Sequence, residues 1–405
     1  MQTETVIVIG GGASGIMAAL TAAEDPSRRV ILLERQQRIG RKLLSTGNGR
    51  CNLTNTGASP ADYHGEDVSF AASVLNKFSP ADTLDFFSGL GLVTVEEYGG
   101  RVYPLSDSAN SVLDVLRFAL ERAGVEVRCS CCVEEIRRCN GGFQILAGED
   151  SFFAHRLIIA CGGCAGSKLG GVMDGYLLAK AMGHKRTALY PSLVQLTTEP
   201  EYPRALKGVR ADALVRLMSG GACIAQSVGE LQFTDKGVSG PAAFDVSRAA
   251  SSHSGALRLV MDFFRAYTED EVYSMLSRRR SGFPALPCSE LFTGMLHNRL
   301  GRMLVKYAGL APDTPLSALT DAQLRSALAG CRAFTLPLKG TEGFDHAQVT
   351  AGGLSTRDFN ADTLESRLVP HLYVCGELLD IDGNCGGYNL QWAWACGRLA
   401  GRLGE

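Results

Sequence analysis

The sequence predicts an α/β fold: a Rossmann-like domain assembled from the two ends of the chain, carrying an inserted β-barrel-like domain and a small helical domain. Three observations predict it. Val6-Ile-Val-Ile9 is a short, wholly apolar, β-branched run that ends at Gly10-Gly-Gly12, the pattern of a parallel strand buried on both faces. A second apolar run, Leu372 to Cys375, meets another glycine and acid at Gly376-Glu377 near the opposite end. From about Tyr190 to Asp262 the alternation of strand and helix stops and glycine-broken, strand-like segments take over. At 405 residues the chain is too long for one ordinary core.

Taken in order, residues 13 to 23 are small and helix-favouring, and residues 29 to 33 return to an apolar strand closing on Glu34, which completes a βαβ unit. Val112, Val115, Leu116 and Ala119 recur at helical spacing and predict a helix over 108–123, followed by a strand over 125–128. Asn140-Gly141-Gly142 reads as a hairpin turn. Residues 155–160 form an apolar strand that ends at Cys161-Gly-Gly163, and 174–182 the helix after it. In the insertion, 213–218 and 257–261 are strand-like, and 270–328 is helix-prone with a break at Pro312 to Pro315. Residues 388–399 form a terminal helix in which Trp392 and Trp394 are packing residues. The expected division is 1–187 with 341–405 for the Rossmann-like domain, 188–263 with 331–340 for the barrel-like domain, and 264–330 for the helical one.

Bulk composition narrows the function. With 45% hydrophobic and 20% charged residues and no apolar run of bilayer length, membrane insertion is not expected. Met1-Gln-Thr-Glu-Thr5 enters an apolar run without a basic leader, which points to the cytoplasm. A net charge of −2 lacks the positive balance that a phosphate backbone demands, so no nucleic-acid partner is expected. The thirteen cysteines read as reduced, buried thiols. The seven histidines form no zinc-type spacing, so no metal is expected. The oligomeric state is left open.

Gly10-x-Gly12-x-x-Gly15 lies between a predicted strand and helix. The first glycine permits the tight turn, the second admits a pyrophosphate to the backbone, and the third lets helix and strand pack closely. The free N–H groups of Ala13, Ser14 and Gly15 at the helix start favour anionic phosphate. Glu34, followed by Arg35, is spaced to accept from the ribose hydroxyls of an adenosine, and its carboxylate disfavours a 2′-phosphate. This fingerprint at the extreme N-terminus, with a second glycine-acid strand end at Gly376-Glu377, favours FAD over NAD.

The run from Gly40 to Asn55, GRKLLSTGNGRCNLTN, with Gly100-Arg-Val-Tyr-Pro104, the block from Gly229 to Pro241 and the block from Gly376 to Trp394, resembles the HI0933-like flavoprotein family. That family, also called BaiN-like or aminoacetone oxidase-like, lies within the glutathione-reductase-type FAD superfamily, and the resemblance covers nearly the whole chain. It implies that the loop holding Ser45, Gly47, Asn48 and Cys51 runs beside the flavin, with Lys42 and Arg50 offsetting phosphate charge. It also implies that Val133 holds adenine through its backbone and that Gly162-Gly163 crosses near the flavin. After Gly376, either Glu377 or Asp382 would hold the ribityl chain, and Gly387, Asn389 and Leu390 at the terminal helix start would face the pyrimidine edge.

Cys51 has no second cysteine in its segment, which favours a structural or flavin-facing thiol over a dithiol pair. Cys161-x-x-Cys164 reads as small-residue packing. The expected function is hydride transfer through the flavin, with NAD(P)H as a transient donor and a small organic molecule as substrate. No second Gly-x-Gly-x-x-Gly occurs between 188 and 340 to hold a nicotinamide nucleotide. The alternatives are an oxidase or dehydrogenase fed by its own substrate, or a flavin-binding module in RNA modification, for which Arg278-Arg-Arg280 is the one compact basic run. No catalytic residue is assigned; Arg101, Tyr103 and Tyr388 are the candidates for proton transfer.

Overall fold

The computed structural model describes residues 3–404; Met1 and Gln2, part of the leader reading above, lie outside them. The chain forms two compact units, one of residues up to Tyr190 together with those from Ala347 onward, the other Pro191–His346.

The first unit is built on a five-stranded parallel sheet in the order Leu372–Val374, Arg156–Ile159, Glu4–Ile9, Arg28–Leu33, Glu126–Arg128. Register is tight at its centre, where Ile9 lies opposite both Ile159 and Leu33. Val6, Val8, Leu32 and Ile158 are fully buried, as apolar strands covered on both faces must be. The helix Ala13–Ala22 packs on the terminal helix Tyr388–Gly401. Gly397 and Gly401, one turn apart, allow that approach: a Cβ at either would collide with the backbone of the first helix, at the Ser14 and Ala18 carbonyls. The indole N–H of Trp392 donates to the Gly376 carbonyl at 3.1 Å and that of Trp394 to Leu53 at 2.9 Å, so these buried rings also moor the helix to two loops.

The predicted hairpin is present, with strands Glu135–Cys139 and Gly142–Ala147 joined through Asn140-Gly141, where Gly141 has φ of +83°. Between residues 54 and 104 lie elements not anticipated from sequence. These are the helices Val68–Lys77 and Pro80–Gly89 and a small antiparallel sheet of Thr54–Asn55, Arg101–Pro104 and Thr94–Glu97. A capping box at Ser79 and Asp82, with Pro80 at the first helical position, starts the second helix.

In the second unit six strands close a barrel in the order Leu196–Thr198, Gly237–Ser239, Ala222–Phe233, Arg210–Ser219, Leu257–Asp262, Phe334–Thr341. The helices Pro241–Ser252, Glu269–Gly282, Asn298–Tyr307 and Asp321–Arg332 bury their apolar faces in the same core as the barrel. The helix at 241–252 is an element that the β-rich reading of 190–262 did not anticipate. Among the described residues no helix is long and apolar enough to cross a membrane.

Candidate functional site

All five strands of the parallel sheet end at one edge, and each ending carries residues singled out above. Across the sheet these are Gly376-Glu377, Gly162-Gly163, Gly10 to Gly15, Glu34 and the segment leading to Val133. Ligands of open parallel sheets bind at this edge, where the loops part and helix N-termini converge.

The glycines divide into those that pack and those that open. Gly10 has φ of +112°, and a Cβ there would strike the Ala160 carbonyl; at Gly15 it would strike the Gly10 carbonyl. At Gly12 and at Gly162 a Cβ would meet nothing within 4 Å. The backbone at these two positions therefore faces free space, framed by positions where only glycine fits. No side chain caps the helix at Gly12, so the amides of Ala13, Ser14 and Gly15 are left for an anion. Glu34 fixes the turn's outer side: its carboxylate accepts from Gly11 N and Gln36 N, each at 2.7 Å. Arg35 pairs with Asp174 at 2.9 Å. Val133 is buried, and its main-chain amide makes no hydrogen bond among the described residues.

Lys42 and Glu377 form an ion pair at 2.8 Å, and the second carboxylate oxygen of Glu377 accepts from Thr350 N at 2.8 Å. A Cβ at Gly163 would lie 2.5 Å from Glu377 Oε1, so the second glycine pair and this acid are neighbours. Asp382 is buried in a two-residue strand paired with Tyr63–His64. Of the two acids left open by the sequence, Glu377 is the one at the solvent-accessible edge, its side chain 21% exposed.

The loop after Lys42 turns through short 3-10 segments with positive φ at Gly47, Asn48 and Cys51. Ser45 caps this turn by donating to the Lys42 carbonyl at 2.8 Å. Cys51 is fully buried, and burial pushes its thiol up to about 12. Such a thiol is a packing group and a poor nucleophile. Cys161 and Cys164 are likewise raised by burial, and the Thr350 hydroxyl donates to Cys164 Sγ at 3.8 Å. Arg50 does not offset phosphate charge, because it is held by Glu97 and Asp107 with its guanidinium 4.0 Å above the Tyr103 ring.

At the terminal helix, Gly387 is left-handed with φ of +98°, and the amides of Tyr388, Asn389 and Leu390 follow it. Asn389 braces the preceding turn, its Oδ1 accepting from Gly383 N and its Nδ2 donating to Gly383 O, both at 2.8 Å. Sequence reasoning missed Gln391, fully buried, which accepts from Thr54 at 2.6 Å and Thr83 at 2.8 Å and donates to Phe78 O at 3.0 Å. A glutamine inside an apolar helix face was the available signal. Among the described residues no group of His, Cys, Asp and Glu is arranged to hold a metal ion.

A family model described as the HI0933-like protein Rossmann domain matches residues 4–403. The chain is 42% identical over 399 residues to a 3-dehydro-bile acid delta(4,6)-reductase of Clostridium scindens, covering 98% of this chain and 97% of that one. It is 29% identical over 399 residues to the ribosomal RNA dihydrouridine synthase of Escherichia coli, covering 98% and 96%. Among solved structures it is similar to an open-form flavocytochrome c3 fumarate reductase, with a TM-score of 0.49 and 16% identity over 99% of this chain and 78% of that one.

Proposed function

The chain belongs to the HI0933-like family, and from that premise we propose that it is an FAD-dependent oxidoreductase that reduces a C=C bond conjugated with a carbonyl in a small ring ketone, with NAD(P)H as donor. What carries the reading is the single edge at which Gly12, Glu34, Gly162 and Glu377 meet. The amides after Gly12 would hold the pyrophosphate, Glu34 the adenosine ribose, and the Glu377–Lys42 pair the ribityl chain. The terminal helix N-terminus would face the pyrimidine edge. When bound, FAD supplies hydride transfer between a donor and an acceptor.

The substrate class is suggested by the two relatives' names. A delta(4,6)-unsaturated 3-oxo steroid and uridine both present a C=C bond conjugated with a carbonyl, and each named reaction saturates such a bond. A ring ketone is favoured over an RNA base by the higher identity and by the fate of the basic run. Arg279 donates to the Thr293 carbonyl, and Arg280 to Leu319 O at 2.9 Å and to Asp321 at 2.8 Å, so two of the three arginines of the run are committed within the protein. Anaerobic incubation of the FAD-loaded protein with NADH or NADPH and progesterone, a steroid enone, tests the reading. The expected product gains two hydrogens; an unchanged enone, with reduction of uridine in ribosomal RNA instead, would move the assignment to the second relative's reaction.

A further inference from the structure

Saturating a conjugated C=C bond needs two groups besides the hydride donor: one to meet the carbonyl oxygen as charge develops there, and an acid for the carbon next to the carbonyl. In the small antiparallel sheet of the first unit, Tyr103 lies opposite Val95 and Arg101 opposite Glu97, two residues apart. Arg101 and Tyr103 therefore share one face of the sheet. Thr54–Asn55, its other neighbour, follows directly on the loop that holds Cys51.

Tyr103 is 8% exposed, its ring lying beneath Arg50 and beside Gly47, where a Cβ would come within 3.3 Å of it. Yet its hydroxyl makes no hydrogen bond among the described residues, and the Arg101 guanidinium has neither a hydrogen bond nor a carboxylate partner there. The ring is buried but the hydroxyl is not, so it opens to solvent beside a half-buried cation that no carboxylate holds, and both groups are available to a ligand. The contrast with Arg50, committed to two carboxylates, is local. Arg101 reaches toward the terminal helix start: a Cβ on Gly386 would lie 3.5 Å from its Nε. The other candidates nearby are engaged, His64 with Asn384 at 2.8 Å, and Cys385 and Tyr388 with partners of their own.

We propose that Tyr103 is the catalytic acid and Arg101 the ligand of the substrate carbonyl oxygen. This rests on the enone-reductase reading above. Hydride, two electrons with one hydrogen, reaches the carbon remote from the carbonyl, with a dihydroflavin as the reductant. The C=C π bond breaks and its electrons move onto the carbonyl oxygen, where Arg101 donates hydrogen bonds. The adjacent carbon then forms its new C–H bond with the Tyr103 proton, and water returns a proton to the phenolate. Burial raises the Tyr103 phenol, against the opposing pull of Arg101 and Arg50, which keeps it protonated in neutral solution.

The test compares wild type, Tyr103→Phe and Arg101→Met in the FAD-loaded protein. Three readouts are taken: FAD retained after gel filtration, progesterone binding to the oxidised protein by perturbation of the flavin spectrum, and the rate at which progesterone reoxidises the anaerobically bleached protein. Tyr103→Phe is expected to retain FAD, to bind progesterone within a few-fold of wild type, and to be reoxidised about 100-fold more slowly or worse. Arg101→Met is expected to weaken binding of progesterone by about 10-fold as well as slowing reoxidation. Wild-type reoxidation by Tyr103→Phe, or loss of FAD from both variants, would overturn the assignment. Failure of progesterone to reoxidise even the wild type would instead overturn the enone reading, and this inference with it.

Discussion

The two units are each built round a sheet of similar size, but they treat their polar groups in opposite ways. In the barrel unit the buried Asp262 and the exposed Arg299 both close on groups of the same unit. Asp262 accepts from Phe264 N at 2.8 Å and from Arg332 at 3.1 Å, and Arg299 donates to two main-chain carbonyls of the same unit, those of Lys207 at 3.1 Å and Ala205. In the parallel-sheet unit groups are left open: the amides after Gly12, the backbone at Gly162 and the Val133 amide at the ends of the parallel strands, and the Arg101–Tyr103 pair in the small antiparallel sheet. The difference follows from topology. A closed antiparallel barrel alternates strand directions and has no common end, whereas a parallel sheet delivers every strand terminus to the same side. Chemistry is assigned to the first unit, and the second is expected to contribute stability and shape.

Substitutions in the glycine turn should break this contrast most severely. Gly15→Val is expected to abolish FAD retention and lower the melting temperature sharply, because its side chain has only the Gly10 carbonyl to enter. Gly12→Ala, whose Cβ meets nothing and whose φ of −83° suits any residue, should leave the melting temperature nearly unchanged while weakening FAD binding about 10-fold. Titration of the apo-protein with FAD, alongside calorimetry, separates the two outcomes. If both variants lose stability equally, the open and packed positions do not differ as described.

On the barrel side, Arg332→Met removes a partner from the buried Asp262 and is expected to cost about 2 kcal/mol in urea unfolding, with an unaltered flavin spectrum. Removing Glu34 should do the reverse. Glu34→Ala is expected to weaken FAD by about 10-fold with a stability loss of about 1 kcal/mol, from the Gly11 and Gln36 amides it leaves without a partner.

The smallest effect is a pH dependence confined to the first unit. His184 is buried, stacked 4.7 Å from Phe359, with its Nε2 3.1 Å from the Ser366 hydroxyl. Burial holds its pKa below 6.5 against the weaker pull of Asp358. Between the lowered folded value and 6.5 the unfolded chain binds more protons than the folded one, so this stability is complete above 6.5 and is lost as pH falls. His184→Gln should flatten the fall in melting temperature between neutral pH and about pH 5.

How far the sequence could be read divides along the same line. The turn from Gly10 to Gly15 and Glu34 were legible because each requirement is local: backbone space at a glycine, and the number of residues in one strand. The Asn140-Gly141 hairpin was legible for the same reason. Arg50 was misjudged because its partners, Glu97 and Asp107, lie 47 and 57 residues away. The helices Val68–Lys77 and Pro80–Gly89 were overlooked although Asp67 and the Ser79–Asp82 box cap them, a signal present but unread. Gln391 could be recognised as polar within an apolar helix, but not that Thr54, Thr83 and Phe78 would gather round it. That Asp382 lies in a buried strand while Glu377 is part-exposed was not legible, because the strand pairs with Tyr63–His64 more than 300 residues away.

The most direct test of the central claim follows the absorbance of the FAD-loaded protein under anaerobic conditions through two additions, first NADPH or NADH, then progesterone. The account predicts bleaching by one of the nucleotides and return of the oxidised flavin spectrum on adding the enone, in step with its saturation. A protein that takes up no FAD, or whose bleached flavin is indifferent to the enone and recovers only with oxygen, would contradict it.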